Sequence, residues 1–148
     1  MQLRTNALAT KQATDMIAVL TAFKLHGYGG TPPATAAALA GALGTPAITY
    51  QAVSANLDGK YGLKWAAPVA QSRVAARDTT QAAQGVAASS TNLTYVVLAE
   101  QDDTLAADTA KYRLVASVGT SGADIILDSV AVVSGTTYAF SSPVTITF

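Results

Sequence analysis

The sequence predicts a mainly β protein: an antiparallel β-sandwich, jelly-roll or Greek-key-like, carrying one N-terminal α-helix. Three observations lead there. From Tyr112 to Phe148, short β-branched or aromatic segments alternate with breaks at Gly119, Ser121-Gly122, Ser134-Gly135 and Ser141-Ser142-Pro143, the pattern of consecutive antiparallel strands. Leu93 to Glu100 is the most hydrophobic strand-length stretch and belongs at the centre of a sheet. Near the N-terminus, Ala9, Ala13, Met16, Ile17, Leu20 and Phe23 recur at helical spacing and define one apolar face.

Taken in order, the helix runs from Asn6, its cap, to about Lys24, with His26-Gly27 as a C-terminal stop. Phe23 to Tyr28 also alternates as a strand would, which puts the switch between Thr21 and Leu25. Gly27 to Pro33 is dense in breakers and reads as a loop, and Ala34 to Leu43 as a short Ala-rich helix ended by Gly44-Thr45-Pro46. Ala47 to Val53 reads as a strand, joined through the Asn56–Gly59 turn to a partner at Lys60 to Ala66. Ser72 to Arg77 suits an edge strand, and Asp78 to Asn92, poor in bulky side chains, suits a surface loop. Gln101 to Ala110 is a loop with room for a helical turn at Thr104 to Asp108. Five strands follow, at Tyr112–Val118, Asp124–Asp128, Val130–Val133, Thr136–Phe140 and Val144–Phe148. Gly119 to Gly122 is the turn that lets the first two pair. The organisation is one domain: an arm and helix over residues 1–26 and the sandwich over 27–148.

Composition narrows the function classes. Charged residues are only 12 % of the chain and nine basic residues balance nine acidic ones, so no field favours nucleic acid or an anionic membrane as partner. About a fifth of the residues are alanine, and a small, neutral, hydroxylated surface with no net charge favours association over free diffusion. No apolar run approaches the length of a membrane span, and no secretory signal is visible. With no cysteine, thiolate catalysis and zinc-thiolate sites are excluded.

The chemistry-bearing residues do not converge on a reaction. His26 is the lone histidine and reads as a surface or capping residue, because no spacing supplies a nucleophile and an orienting third group. Glu100, Asp102, Asp103 and Asp108 form the one acidic cluster, which lacks the alternating oxygen ligands and glycine of a calcium loop. Gly27–Gly30 and Gly119–Gly122 do not follow the strand–glycine–helix order of a phosphate cradle. The aromatics sit mostly inside strand patterns, where cross-strand packing is the default. The expectation is a non-enzyme with no catalytic residues, no cofactor and no metal.

Several pieces, in order along nearly the whole chain, carry a resemblance: RTNALAT before a short helix, YGGTPPATAAALAGALGTPAITY, YGLKWAAPV, TYVVLAE, and above all VGTSGADIILDS ahead of the closing TITF. The sequence resembles small virion structural proteins of tailed bacteriophages and prophages, with no match between Ala70 and Asn92. The resemblance implies a decoration or cement protein made in the host bacterial cytoplasm and placed on the outer surface of the capsid. Its partners would be the major capsid protein and itself, as homodimer or homotrimer. A tail, connector or fibre-base component is the alternative, and a carbohydrate-binding or adhesion module a more distant one. The parts expected to touch neighbours are the arm Met1, Gln2, Leu3, Arg4, Thr5 and Asn6, and the terminal strand positions Val144, Ile146 and Phe148.

Overall fold

The computed structural model describes residues 6–20, 23–51, 64–67, 69, 74–80, 82–140 and 142–147. Helix α1 (Asn6–Leu20) leads into β1 (Phe23–Tyr28), and the short helix α2 (Ala36–Ala40) precedes β2 (Ile48–Tyr50). Then come β3 (Val74–Ala76), β4 (Ala83–Val86), β5 (Thr91–Asn92) and β6 (Tyr95–Glu100). The chain closes with β7 (Arg113–Gly119), β8 (Ile125–Ile126), β9 (Ala131–Val132), β10 (Thr137–Phe140) and β11 (Thr145–Thr147). The protein is mainly β, organised on a curled five-stranded sheet of order β2-β1-β6-β7-β8.

β6 lies at the centre of that sheet, antiparallel to β1 (Leu25 opposite Leu98) and to β7 (Leu98 opposite Leu114). Both of its faces are covered, which is why its sequence is a continuous apolar run and not an alternation. One face, carrying Leu25, Ile48, Tyr50, Val96 and Leu98, packs into the main core with Leu20, Phe23, Trp65, Leu93, Ile125 and Val144. The other carries Tyr28, Tyr95, Val97 and Ala99 and is covered by Leu105 with Leu39 and Leu43. The rings of Tyr28 and Tyr95 stack there, centroids 5.2 Å apart.

The C-terminal segments do not pair with one another as consecutive antiparallel strands. β9 returns to β5, β10 to β4 and β11 to β3, all antiparallel, so the end of the chain is stitched to its middle. β3 is not an edge either. β11 flanks one side and residues 64–66 the other, through the Trp65–Arg77 bridge and Ala66 N–H donating to the Ala76 carbonyl at 2.8 Å. The 78–92 region, expected as a loop, contains β4 and β5, because small side chains permit a close approach that bulky ones would block. Ala83 and Ala87 are buried, and a Cβ on Gly85 would fall onto the Thr49 carbonyl oxygen of β2. β1 likewise continues through Gly27 and Tyr28, where a loop was expected. A Cβ on Gly27 would stand 2.8 Å from Ile48 Cγ2, so glycine lets the core close over this strand.

Gly119 to Gly122 is not a hairpin turn. β7 and β8 run parallel, Val118 opposite Ile125 and Gly119 opposite Ile126, so the chain makes a full excursion and returns in the same direction. Parallel neighbours ordinarily need a long crossover. Here the loop is closed by Asp124, whose carboxylate accepts from the Ser117 N–H (2.9 Å) and hydroxyl (2.8 Å), with Gly122 at φ 65° providing the reversal. The expected hairpin at residues 56–59 and its strand up to residue 63 lie outside the described residues.

Candidate functional site: an apolar groove beside an open strand edge

α1 turns Ala13 and Leu20 inward and packs along β3, with Met16 and Ile17 partly buried. Its outer side keeps Leu8 and Val19 exposed, at 49 % and 41 %. Tyr112, at 64 %, and Leu114, at 38 %, are exposed at the start of β7. Large apolar side chains left in water on adjacent elements mark a contact surface more often than a solvated face.

Between these elements runs a groove. Its first section, about 630 Å³, is lined by Met16, Val19, Leu20, Phe23, Tyr112, Leu114 and Ile146, with Gln12, Asp15 and Arg113 as its polar residues. A second section, about 210 Å³, lies between β7 (Leu114 to Ala116), Ile125 and β11 (Thr145, Ile146). Leu114 and Ile146 line both sections, so the two lie side by side.

One wall of the groove is a strand edge. Val118 N–H donates to the Thr94 carbonyl at 3.1 Å, which sets the phase of the ladder. Leu114, Ala116 and Val118 therefore turn their backbone groups to β6, and Arg113, Val115 and Ser117 turn theirs outward. Ser117 N–H is met by Asp124. Among the described residues no strand pairs alongside Arg113 to Ser117, because β8 begins opposite Val118.

β7 is held rigid from behind. The Arg113 guanidinium meets the Asp103 carboxylate in a two-point pair (2.7 and 2.8 Å) and donates to the carbonyls of Leu39 (3.0 Å), Gly41 (2.8 Å) and Ala106 (2.6 Å). All five of its N–H donors are thus engaged. Both side chains are 2 % exposed, and the guanidinium holds the Asp103 carboxyl below its ordinary range. The fork ties β7, α2 and the 101–110 loop into one unit.

The acidic cluster is therefore structural in part. Asp103 is in the fork, Glu100 and Asp102 face Lys111 at 3.8 and 2.9 Å, and Asp108 accepts from the Ala110 N–H. Among the described residues, no group of three or more acidic or histidine side chains is arranged to hold a metal ion. His26 is not a surface or capping residue. It is 6 % exposed on β1, its Nδ1 lies 2.9 Å from the Thr49 hydroxyl, and its Nε2 is buried with no hydrogen-bond partner among the described residues. Burial first, and then the charge of Lys24, push its pKa down to about 4, so the ring is neutral at pH 7.

The expected contact residues are placed unevenly. Met1 to Thr5 and Phe148 lie outside the described residues, and Asn6 begins α1. Val144 is 4 % exposed within the main core, and Ile146 is partly buried against it while forming the groove wall. β11 itself pairs within its own chain. The groove as a whole was not visible in the sequence, because Tyr112 and Leu114 look like any alternating strand positions until β8 is seen to begin only opposite Val118.

No family model, no curated protein and no solved structure matches the chain. Among the described residues no helix is long and apolar enough to cross a membrane, which says nothing of a β-barrel.

Proposed function

We propose that this chain is a non-enzymatic structural subunit of a tailed-bacteriophage virion. In this reading it is a capsid decoration or cement protein, made in the host cytoplasm and seated on the outer surface of the head. There it binds the lattice of the major capsid protein. The observation that carries the reading is the groove: exposed Val19, Tyr112 and Leu114 around a cleft one of whose walls is a strand edge that, among the described residues, no strand pairs alongside from Arg113 to Ser117. Such an edge aggregates or is covered, and a subunit that functions in an assembly covers it with a neighbour.

The rest of the surface suits the same task. Low charge and small side chains give weak contacts, and a lattice converts many weak contacts into occupancy. In this reading the curled sheet and the three short ladders are the two layers of a sandwich, and the groove is where the layers stand apart. A glycan-binding module is less favoured, because the stacked Tyr28 and Tyr95 rings are buried and the Trp65 indole is committed to the Leu20 carbonyl at 3.1 Å.

The test is sedimentation. Particles purified on a density gradient from a lysate of the host that carries the encoding phage should contain the chain in many copies per head. A chain confined to the soluble fractions would overturn the proposal.

A further inference from the structure

The sheet face away from the main core has a cover of its own. α2 and the 101–110 loop lay Leu39, Leu43 and Leu105 over Tyr28, Tyr95, Val97 and Ala99. The two pieces are tied to each other, Leu43 N–H donating to the Leu105 carbonyl and Asp108 N–H to the Ala40 carbonyl, both at 2.9 Å. We propose that this cover is acid-operated: a proton taken up by His26 lifts α2 and the loop from the sheet together, with the Arg113–Asp103 fork as the hinge. The proposal does not depend on the capsid reading.

Position is the first argument. Strand alternation puts His26 on the same face as Lys24 and Tyr28, in one row with Thr49, Val97 and Val115. The fork clamps the cover at β7, and His26 lies two strands away on β1. There the Tyr28 hydroxyl reaches the Gly44 carbonyl only at 3.4 Å. Valence is the second. The Thr49 hydroxyl, 2.9 Å from Nδ1, serves a neutral ring, whereas an imidazolium has two N–H donors and the buried Nε2 meets no protein acceptor among the described residues. The charged ring needs water at that nitrogen, which the closed cover shuts out.

Charge points the same way. Lys24, two residues along on the same face, repels an imidazolium, and Asp103, the acid that favours one, is already held by Arg113. From β2 and β6 the ring meets uncharged Thr49 and Val97, α2 carries no charge, and Asp102 and Asp108 of the loop are engaged by Lys111 and the Ala110 N–H. The cover is also strained. Leu105 holds φ 63°, a left-handed conformation that residues with side chains rarely adopt, and the Asp103 carboxylate keeps it there by accepting its N–H at 2.7 Å.

Amide hydrogen exchange on the full chain, read by mass spectrometry and corrected for intrinsic rates, tests the proposal. Between pH 7.5 and 4.5, opening at Leu43, Asp108 and their neighbours in the cover should rise on the order of fiftyfold, the linkage expected of a ring with pKa about 4 when closed and 6.5 when open. β6 should stay protected. The wild-type profile itself identifies the titrating group. The rise should begin near pH 6.5, and a rise confined to below about pH 4 would assign the effect to a carboxylate such as Asp103 and overturn the proposal. His26→Gln, which can still bond Thr49 and takes up no proton, should keep the cover equally protected down to pH 4.5. Loss in the variant equal to that in the wild type, loss in β6 and the cover together, or no loss at all would each overturn it.

Discussion

Arg113 and Asp103 show what a single pair contributes when it is almost fully enclosed. The desolvation of both charges is offset by complete hydrogen bonding, and removing one partner leaves the other stranded. Arg113→Ala should therefore destabilise the fold by about 3 to 5 kcal/mol in urea unfolding. Arg113→Lys, which keeps the charge but not the fork, should recover only part of that. His26 sets a pH dependence of definite sign. Its folded pKa of about 4 lies below the unfolded value of 6.5, so between these values the unfolded chain binds the proton that the folded chain refuses. Stability rises with pH across that window, and up to about 3 kcal/mol is lost as pH falls from 6.5 to 4. His26→Gln should flatten the melting temperature over that interval. Carboxylates held low by their partners, Asp103 among them, would still lose stability in more acidic solution. An unchanged slope in the variant would show that the histidine is not the titrating group.

Among the elements, β4 and the β7–β8 loop depend on residues that look unremarkable in isolation. Gly85→Ala would set a methyl against the Thr49 carbonyl and should cost about 1 to 3 kcal/mol by prising β4 from β2, measurable by thermal unfolding. Asp124→Ala removes the clasp on Ser117. It should raise amide exchange at Ser117 and through the 119–125 excursion while leaving β6 protected. These elements also mark the limit of reading the sequence. α1, β1, α2, β2, β6 and the segments of the C-terminal run were legible because hydrophobic period and breakers act locally. β4 and β5 were not, because alanine and glycine there fit a strand only once a second backbone lies against them. The parallel β7–β8 pair was equally hidden, since a glycine-rich break between two β-branched segments reads as a hairpin until Asp124 is seen to hold Ser117. Register with distant partners was the largest gap: nothing near Thr145 to Thr147 indicates Val74 to Ala76 as the strand it meets.

For the molecule as a whole, apolar side chains of α1, β7 and β11 face a groove where, among the described residues, β8 pairs with β7 only from Val118 onward. Under the proposed function, that groove and the neutral, alanine-rich composition would both serve association. Of the groove, only Ile146 stands out in the sequence as a contact position; the rest depends on where β8 begins and where β11 docks. If the chain sits on the shell of a virion, as proposed, electron microscopy of purified particles labelled with antibody against the chain will show it. Label should be distributed over the outer face of the head. Label confined to the tail or connector, or particles that carry none, would contradict it.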